Sequence, residues 1–164
     1  MGDISEIKKR AVNTPDNHVG KQRQDLYRYA AVRIKDAINK GFYLEAIAII
    51  ESLIADRLES RFSRLLGEDY SYKTLGQLVK KAKTVEIDPI LKGLVVIELD
   101  KWRNARNASL HEMVKLAEGE VRSWQDRMNA LEPIAKEGAR LFRKIDVRVN
   151  SLRRNKSREA LKKI

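Results

Sequence analysis

The pattern of apolar and polar positions predicts helices along almost the whole chain. Apolar residues recur at steps of three and four over residues 23–39, 43–66 and 74–82. A fourth helix starts at Asp88-Pro89, where aspartate suits the N-cap and proline the first turn, and it runs toward Arg103. The stripe of the first helix contains Leu26, Tyr29, Ala30, Ile34, Ala37 and Ile38. No segment alternates as a strand does, so the sequence predicts an all-α fold.

The second helix has the clearest apolar face, and one carboxylate interrupts it. At 100° per residue its apolar side chains fall on one side, namely Ile47, Ile50, Ile54, Leu58, Phe62 and Leu65. Glu51 projects from the middle of this stripe. A buried carboxylate is costly unless it is paired, so we expect either a cation from another helix or a side chain that reaches outward from the edge of the stripe. Glu98 interrupts the apolar face of the fourth helix in the same way.

The last segment keeps one apolar phase for about thirty residues, although Pro133 lies inside it. Its stripe contains Val121, Trp124, Met128, Leu131, Ala135, Phe142, Ile145, Val149 and Leu152. Because the phase is the same on both sides of the proline, we expect one long kinked helix rather than two separate helices. We divide the chain into a flexible leader (1–20), a helical domain (21–150) and a basic C-terminal tail (151–164).

Composition narrows the class of protein. A chain of 164 residues with 43% apolar and 35% charged residues fits one globular domain. It contains no cysteine, and its two histidines lie far apart in sequence, so we expect no disulfide, no zinc centre and no cofactor. No apolar run is long enough for a membrane helix, and the first residues do not form a secretory signal. We expect a cytoplasmic protein without a membrane partner.

The net charge of +11 is concentrated at the C-terminus. Residues 140–163 contain ten Lys or Arg and two acidic residues, so this segment carries +8 of the total. A basic arm on a nearly neutral body favours a polyanionic partner, although a solvated tail that aids solubility has the same composition. If the partner is nucleic acid, its affinity must fall steeply with salt.

One short segment carries candidate chemistry, Trp102–Glu112, reading WRNARNASLHE. Arg106 offers a planar cation suited to two phosphate oxygens, and Asn107 can orient a neighbouring group. His111 is five positions beyond Arg106, which in an unbroken helix directs the two about 140° apart. Ser109 and Glu112 have the spacing of a capping box, so we expect a break there that places His111 in a helical first turn, where anions bind. The other interpretation is an ordinary surface arginine beside a capping histidine.

The order of these elements, with YLEAIAIIESLIADRLESRF in the second helix and RNASLHE at the end of the fourth, resembles the HEPN superfamily (higher eukaryotes and prokaryotes nucleotide-binding domains) over roughly residues 22–150. The resemblance implies an up-and-down bundle of four to five helices that dimerises so that two motifs face each other. Its Arg, polar residue and His correspond to Arg106, Asn107 and His111. Some toxin members have a tyrosine two residues after the histidine, where this chain has Met113.

The resemblance implies a metal-independent endoribonuclease of toxin–antitoxin or phage-defence systems, with RNA (tRNA is one candidate), a homodimer mate and an antitoxin or defence protein as partners. Arg106, Asn107 and His111 are then catalytic, and periodicity adds Glu51 or Glu98 as a partner for Arg106. The basic residues expected to bind RNA are Arg103, Arg140, Arg143, Lys144, Arg148, Arg153 and Arg154. Two alternatives stay open: a non-catalytic HEPN-type binding module, and a DNA-associated helical protein that uses only its basic arm.

Overall fold

The computed structural model describes residues 9–115, 119 and 121–161, with side chains as far as Asn155. The remaining residues of the predicted leader and tail, 1–8 and 162–164, lie outside this description. All regular elements of the described part are helical, which confirms the all-α prediction. The helices are α1 (Val19–Asn39), α2 (Tyr43–Leu66), α3 (Leu75–Val85), α4 (Pro89–Gly93), α5 (Asp100–His111), α6 (Trp124–Ala130) and α7 (Glu132–Leu161), with a π-helical segment (Leu94–Leu99) between α4 and α5.

Local sequence signals explain where α2, α3 and α4 begin and end. Helix α2 has the predicted bounds, and it ends because Gly67 adopts the left-handed conformation, φ 73°, that favours glycine. Thr74 and Gln77 form a capping box at the start of α3. Asp88 caps α4 by accepting a 2.8 Å hydrogen bond from the backbone N–H of Leu91, as the Asp88-Pro89 pair predicts.

Helix α4, the π segment and α5 form one unbroken helix, residues 89–111, which we call the motif helix. Leu94 and Leu99, at the two junctions, both have right-handed helical backbone angles. The motif helix runs antiparallel to α7, because Asp88 pairs with Arg148 near one end and Trp102 bonds to Ile134 near the other. Together α1, α2, the motif helix and α7 form an up-and-down bundle.

The C-terminal segment is bent, as predicted. Helix α6 ends at Ala130 and α7 begins at Glu132, while Leu131 between them keeps a helical conformation, φ −81° and ψ −17°. The bend therefore lies two residues before Pro133, and the proline falls in the first turn of α7. Backbone N–H groups in a first turn have no partner within the helix, so the missing N–H of the proline ring breaks no hydrogen bond. Helix α7 continues across residue 150, so the proposed tail begins within this helix.

Helix α2 lies at the centre and packs against α7, α1 and α3. Fully buried side chains on α2 and its neighbours make up the core, including Ile50, Leu58, Phe62, Leu78, Leu99, Leu141 and Ile145. Helix α1 begins at Val19, earlier than the predicted residue 23, and Arg10 from the leader pairs with Asp56 on α2 at 2.7 Å. Within the predicted stripe of α1, Ile34 and Ala37 are buried in the core as predicted. The prediction that Leu26 and Tyr29 also face the core is wrong, because both are exposed.

Charged pairs join the start of the motif helix to the rest of the bundle. Arg61 of α2 donates two hydrogen bonds to Glu86, at 3.0 and 2.8 Å. Arg148 of α7 donates to both carboxylate oxygens of Asp88, which holds the pKa of that carboxyl below its usual value. These contacts fix the axial position of the motif helix against α2 and α7.

Candidate functional site

The motif residues lie on an unbroken helix, so the predicted break at Ser109 is wrong. The backbone N–H of Glu112 still bonds to the carbonyl of Ala108 at 3.0 Å, and α5 includes every residue up to His111. A capping box requires its serine in an extended conformation, which would forfeit intrahelical hydrogen bonds. A helix that already runs from Pro89 adds one hydrogen bond for each further residue, so continuing costs less than stopping and restarting.

Continuity of the helix separates Arg106 from His111. Five helical positions direct the two side chains about 140° apart, so one chain does not bring the guanidinium and the imidazole together. His111 also occupies the last turn of α5, where unpaired carbonyls give the backbone a partial negative charge. The predicted anion site at a helix N-terminus is therefore absent at His111. The imidazole is exposed.

Arg106 points into the bundle and is held there by Glu51. Its Nη2 donates to Oε1 of Glu51 at 2.5 Å, which confirms the predicted pairing of the α2 carboxylate with a cation from another helix. The arginine side chain is only 14% exposed, and its guanidinium carbon lies 5.9 Å from the centre of the Trp102 ring. The Nε atom is buried without a hydrogen-bond partner among the described residues.

Glu98 does not contact Arg106, so the second predicted partner is wrong. Its carboxylate instead accepts hydrogen bonds at 3.1 Å from Arg140 and from Lys144 of α7. These two cations, Lys144 foremost, hold the pKa of the Glu98 carboxyl below its usual value. Glu98 and Arg106 lie eight positions apart on the motif helix, a rise of about 12 Å, which is too far for their side chains to pair.

Arg103, Asn107 and His111 form one polar stripe along α5, which we call the motif stripe. They follow one another at steps of four, so neighbours on the stripe are within reach of one another on the same side of the helix. Arg103 itself donates hydrogen bonds from Nε and Nη2 to the carboxylate of Asp100, at 3.0 and 2.8 Å. The cation that shares a face with His111 within one chain is therefore Arg103 and not Arg106.

Apart from Arg103, which pairs with Asp100, the basic residues predicted to bind RNA fall into two groups. Three are engaged in ion pairs with acidic groups of the bundle: Arg140 with Glu98 and Glu137, Lys144 with Glu98, and Arg148 with Asp88. Three others, Arg143, Arg153 and Arg154, are exposed on α7. The first group lies where α7 faces the motif helix, so part of its charge is compensated inside the protein.

A cavity of about 450 Å³ opens between the motif helix and α7. Trp102 lines it, and the indole N–H donates to the carbonyl of Ile134 at 2.8 Å. Gly138 of α7 faces this ring so closely that a Cβ atom there would lie 2.7 to 2.8 Å from three atoms of the indole. Lys101 and Arg140 contribute cations to the lining. The sequence places Trp102 on an apolar face, but only the three-dimensional arrangement brings it beside Gly138.

The backbone directly after the motif, at residues 112 and 115, is hydrogen-bonded by an arginine that the sequence did not lead us to expect. Arg127 of α6 donates to the backbone carbonyl of Glu112, directly after His111, and at 2.9 Å to that of Lys115. These carbonyls follow the end of α5, where partners for backbone oxygens are needed. Arg127 thus positions the end of the motif helix against α6. No motif in the sequence signals a contact of this kind.

The described residues contain no group of three or more His, Cys, Asp or Glu side chains arranged for a metal ion. Over the same residues, no helix combines the length and the apolar character that a membrane crossing requires. Comparisons of this chain with family models, with curated proteins and with solved structures find no match.

Proposed function

We propose that this protein is a metal-independent endoribonuclease of the HEPN type, with Arg106, Asn107 and His111 in a site shared by two chains. Its products would be a 2′,3′-cyclic phosphate and a 5′-hydroxyl, and its setting a toxin–antitoxin or phage-defence system. The proposal rests on the residue types of the motif, on their place at the end of one bundle helix, and on the contacts of Arg106.

The observation that carries the proposal is the setting of Arg106. Glu51 and Trp102 hold its guanidinium in one place, and its side chain is mostly shielded from water. A fixed cation in a partly shielded position stabilises developing negative charge better than a mobile surface cation does, because little reorganisation is needed during the reaction. Glu51 acts here as a positioning residue.

A second copy of the chain supplies what one chain lacks. Arg106 and His111 diverge on α5, and each chain offers one histidine at the motif. Two motif helices facing each other across a two-fold axis would bring two imidazoles and two guanidinium groups to one pocket. One imidazole could then act as base and the other as acid.

The chemistry needs no atom beyond RNA and these side chains. One His111 imidazole takes the proton of the 2′-hydroxyl while that oxygen forms a bond to the adjacent phosphorus. The bond from phosphorus to the 5′-oxygen breaks, and the imidazole of the other chain gives this oxygen its proton. Arg106 stabilises the charge on the phosphoryl oxygens, and Asn107, next to His111 on the motif stripe, orients the substrate.

The exposed cations of α7 are the proposed contacts for flanking phosphates. Arg143 and Arg154 are eleven residues apart on this helix, a rise of about 16 Å. Such contacts neutralise phosphates without reading bases, so they support binding without sequence preference.

The test is cleavage of RNA by purified protein in EDTA, comparing the wild type with His111→Ala. The matched control is His18→Asn, which replaces the other histidine at a left-handed position, φ 50°, that asparagine tolerates. We expect His111→Ala to lose at least about a hundredfold in rate, since general acid–base catalysis contributes that much or more. The control should keep full activity, and the products should carry cyclic phosphate ends. Equal rates for wild type and His111→Ala would refute the mechanism.

A second candidate function is a non-catalytic HEPN-type module that binds RNA or a partner protein. The observation in its favour is that Arg106 faces Glu51 inside the bundle while His111 faces outward. Protein that binds RNA with a steep salt dependence but cleaves none, with or without added divalent metal, would favour this candidate.

A further inference from the structure

Helix α1 carries an exposed apolar face that the bundle does not cover. Leu26, Tyr29 and Val32 are 67%, 66% and 65% exposed, although large apolar side chains at helical spacing ordinarily pack against something. Beside them, a groove of about 690 Å³ runs between α1 and α2, and its lining includes Leu26, Ala30, Ile49 and Leu53. Leu26 belongs to both the exposed face and the groove, and we call the two together the α1 face.

The sequence of this face is complementary to itself about Tyr29. Three positions before Tyr29 is Leu26 and three positions after it is Val32. Four positions before it is Asp25 and four positions after it is Arg33. Suppose that two copies of α1 pack antiparallel, with Tyr29 of each copy on the two-fold axis. A residue that lies a given number of positions before Tyr29 in one copy is then level with the residue that lies the same number of positions after Tyr29 in the other copy. Apolar residues then meet apolar residues, and each aspartate meets an arginine.

We propose that a second copy of this chain docks on the α1 face, with the two α1 helices antiparallel about a two-fold axis at Tyr29. Charge complementarity identifies the occupant, because Asp25 and Arg33 carry opposite charges at equal offsets on either side of one exposed aromatic residue. The groove accommodates side chains of the second copy, and the tyrosine rings pack against each other at the axis.

The charged groups are available for this arrangement. The side chains of Asp25 and Arg33 are 42% and 47% exposed. Arg33 donates from Nε and Nη2 to Glu45 and from Nη1 to Asp36. In the proposed dimer, Asp25 of the second copy takes the place of Asp36 as the acceptor of Nη1, and the two hydrogen bonds to Glu45 remain. Asp25 now pairs with Arg28 on the surface, at 3.1 Å, and such exposed pairs are readily exchanged.

The α1 face is separate from the proposed catalytic surface. Tyr27 of α1 bonds to Asp56 of α2 at 2.7 Å, whereas Glu51, on another side of α2, bonds to Arg106 of the motif helix. Pairing through α1 therefore does not depend on the proposed function. A chain that uses both surfaces assembles beyond a dimer.

Paired charge reversals test the arrangement, with self-association measured by sedimentation equilibrium. In Asp25→Arg each introduced arginine meets Arg33 of the other copy, and in Arg33→Asp each introduced aspartate meets Asp25. We expect each variant alone to dimerise about tenfold more weakly than the wild type. An equimolar mixture restores two opposite-charge pairs, so the mixed dimer should recover the wild-type affinity. This recovery also shows that both variants are folded.

Cross-linking tests the position of the axis, since the chain has no native cysteine. Tyr29→Cys places two thiols at the axis, within the reach of a disulfide, and should give a covalent dimer on mild oxidation. Lys35→Cys, exposed on another side of α1, is the matched control and should give none.

Four results would overturn the proposal: a wild-type monomer at high micromolar concentration, a mixture no tighter than its components, equal cross-linking at both cysteine positions, or a dimer of Ala108→Glu that survives the further substitution Tyr29→Glu. The Ala108→Glu background is used for this last test because the proposed function predicts a second dimer through the motif helix, which a glutamate on α5 should abolish. A monomer that cleaves RNA at full rate would overturn both proposals, whereas loss of the α1 dimer with retained cleavage would leave the proposed function intact.

Discussion

Replacing Gly138 by alanine should destabilise the bundle, although alanine favours helices. A Cβ atom at this position would lie 2.7 Å from the Trp102 ring, whereas ordinary contact begins at 3.4 Å, so the ring or the helix must move by about 0.7 Å. Trp102 is 3% exposed, and its indole N–H is bonded to Ile134. A movement of the ring away from Gly138, into the cavity that it lines, would therefore weaken that hydrogen bond.

The expected change follows from three contributions. Overpacking a close-packed core costs about 1 to 3 kcal/mol. Weakening the indole hydrogen bond destabilises the protein by about 1 kcal/mol more, whereas the better helix propensity of alanine stabilises it by about 1 kcal/mol. The free energy of unfolding should fall by about 1 to 3 kcal/mol, which lowers the melting temperature by roughly 2 to 12 °C for a chain of this size. Because Trp102 packs near Arg106, RNA cleavage should fall as well.

Urea unfolding followed by circular dichroism measures this difference, with Gly93→Ala as the matched control. Gly93 is also helical, φ −61°, but a Cβ atom there meets nothing within 4 Å, so alanine should stabilise by about 0.5 to 1 kcal/mol. When Trp102→Leu is combined with Gly138→Ala, the close contact between the new Cβ atom and the indole ring disappears. Adding Gly138→Ala to Trp102→Leu should therefore cost much less unfolding free energy than adding it to the wild type. If Gly138→Ala were as stable as Gly93→Ala, the packing described for Trp102 would be wrong.

Two further predictions concern the charged contacts that position the motif helix. A double-mutant cycle with Glu51→Gln and Arg106→Gln should give a coupling energy of about 1 to 3 kcal/mol in urea unfolding, and a value near zero would mean that the pair contributes nothing. Asp88→Asn keeps the helix cap but loses the charge opposite Arg148, so it should lower the unfolding free energy by about 1 to 2 kcal/mol at neutral pH. Since the folded pKa of Asp88 is depressed, this difference is present above about pH 4 and is lost as the pH falls through the folded value. A difference that does not change down to about pH 2 would contradict this assignment.

The sequence predicts helices well where one signal dominates. The apolar period and Gly67 define α2, and the Asp88-Pro89 pair marks the start of α4. The pairing of Glu51 could be predicted because a carboxylate within an apolar stripe requires a nearby cation.

The sequence does not decide features that depend on competing local preferences. Ser109 and Glu112 have the spacing of a capping box, yet the helix continues through them because the preceding turns are already formed. The π segment has no sequence signature that we recognised, and Glu98 within it pairs with Arg140 and Lys144 of α7. The exposed face of α1 has the same period as a core-facing stripe, so periodicity alone does not distinguish the two.

In the proposed enzyme, one catalytic site contains the His111 side chains of two chains. Wild-type protein and the inactive variant His111→Ala can be mixed at a constant total concentration, unfolded together and refolded, and the cleavage rate measured against the wild-type fraction. A site that needs both histidines requires two wild-type chains, so an equimolar mixture should have about a quarter of the wild-type rate. A rate of about half, proportional to the wild-type fraction, would show that one histidine suffices for cleavage and would contradict a site that needs both.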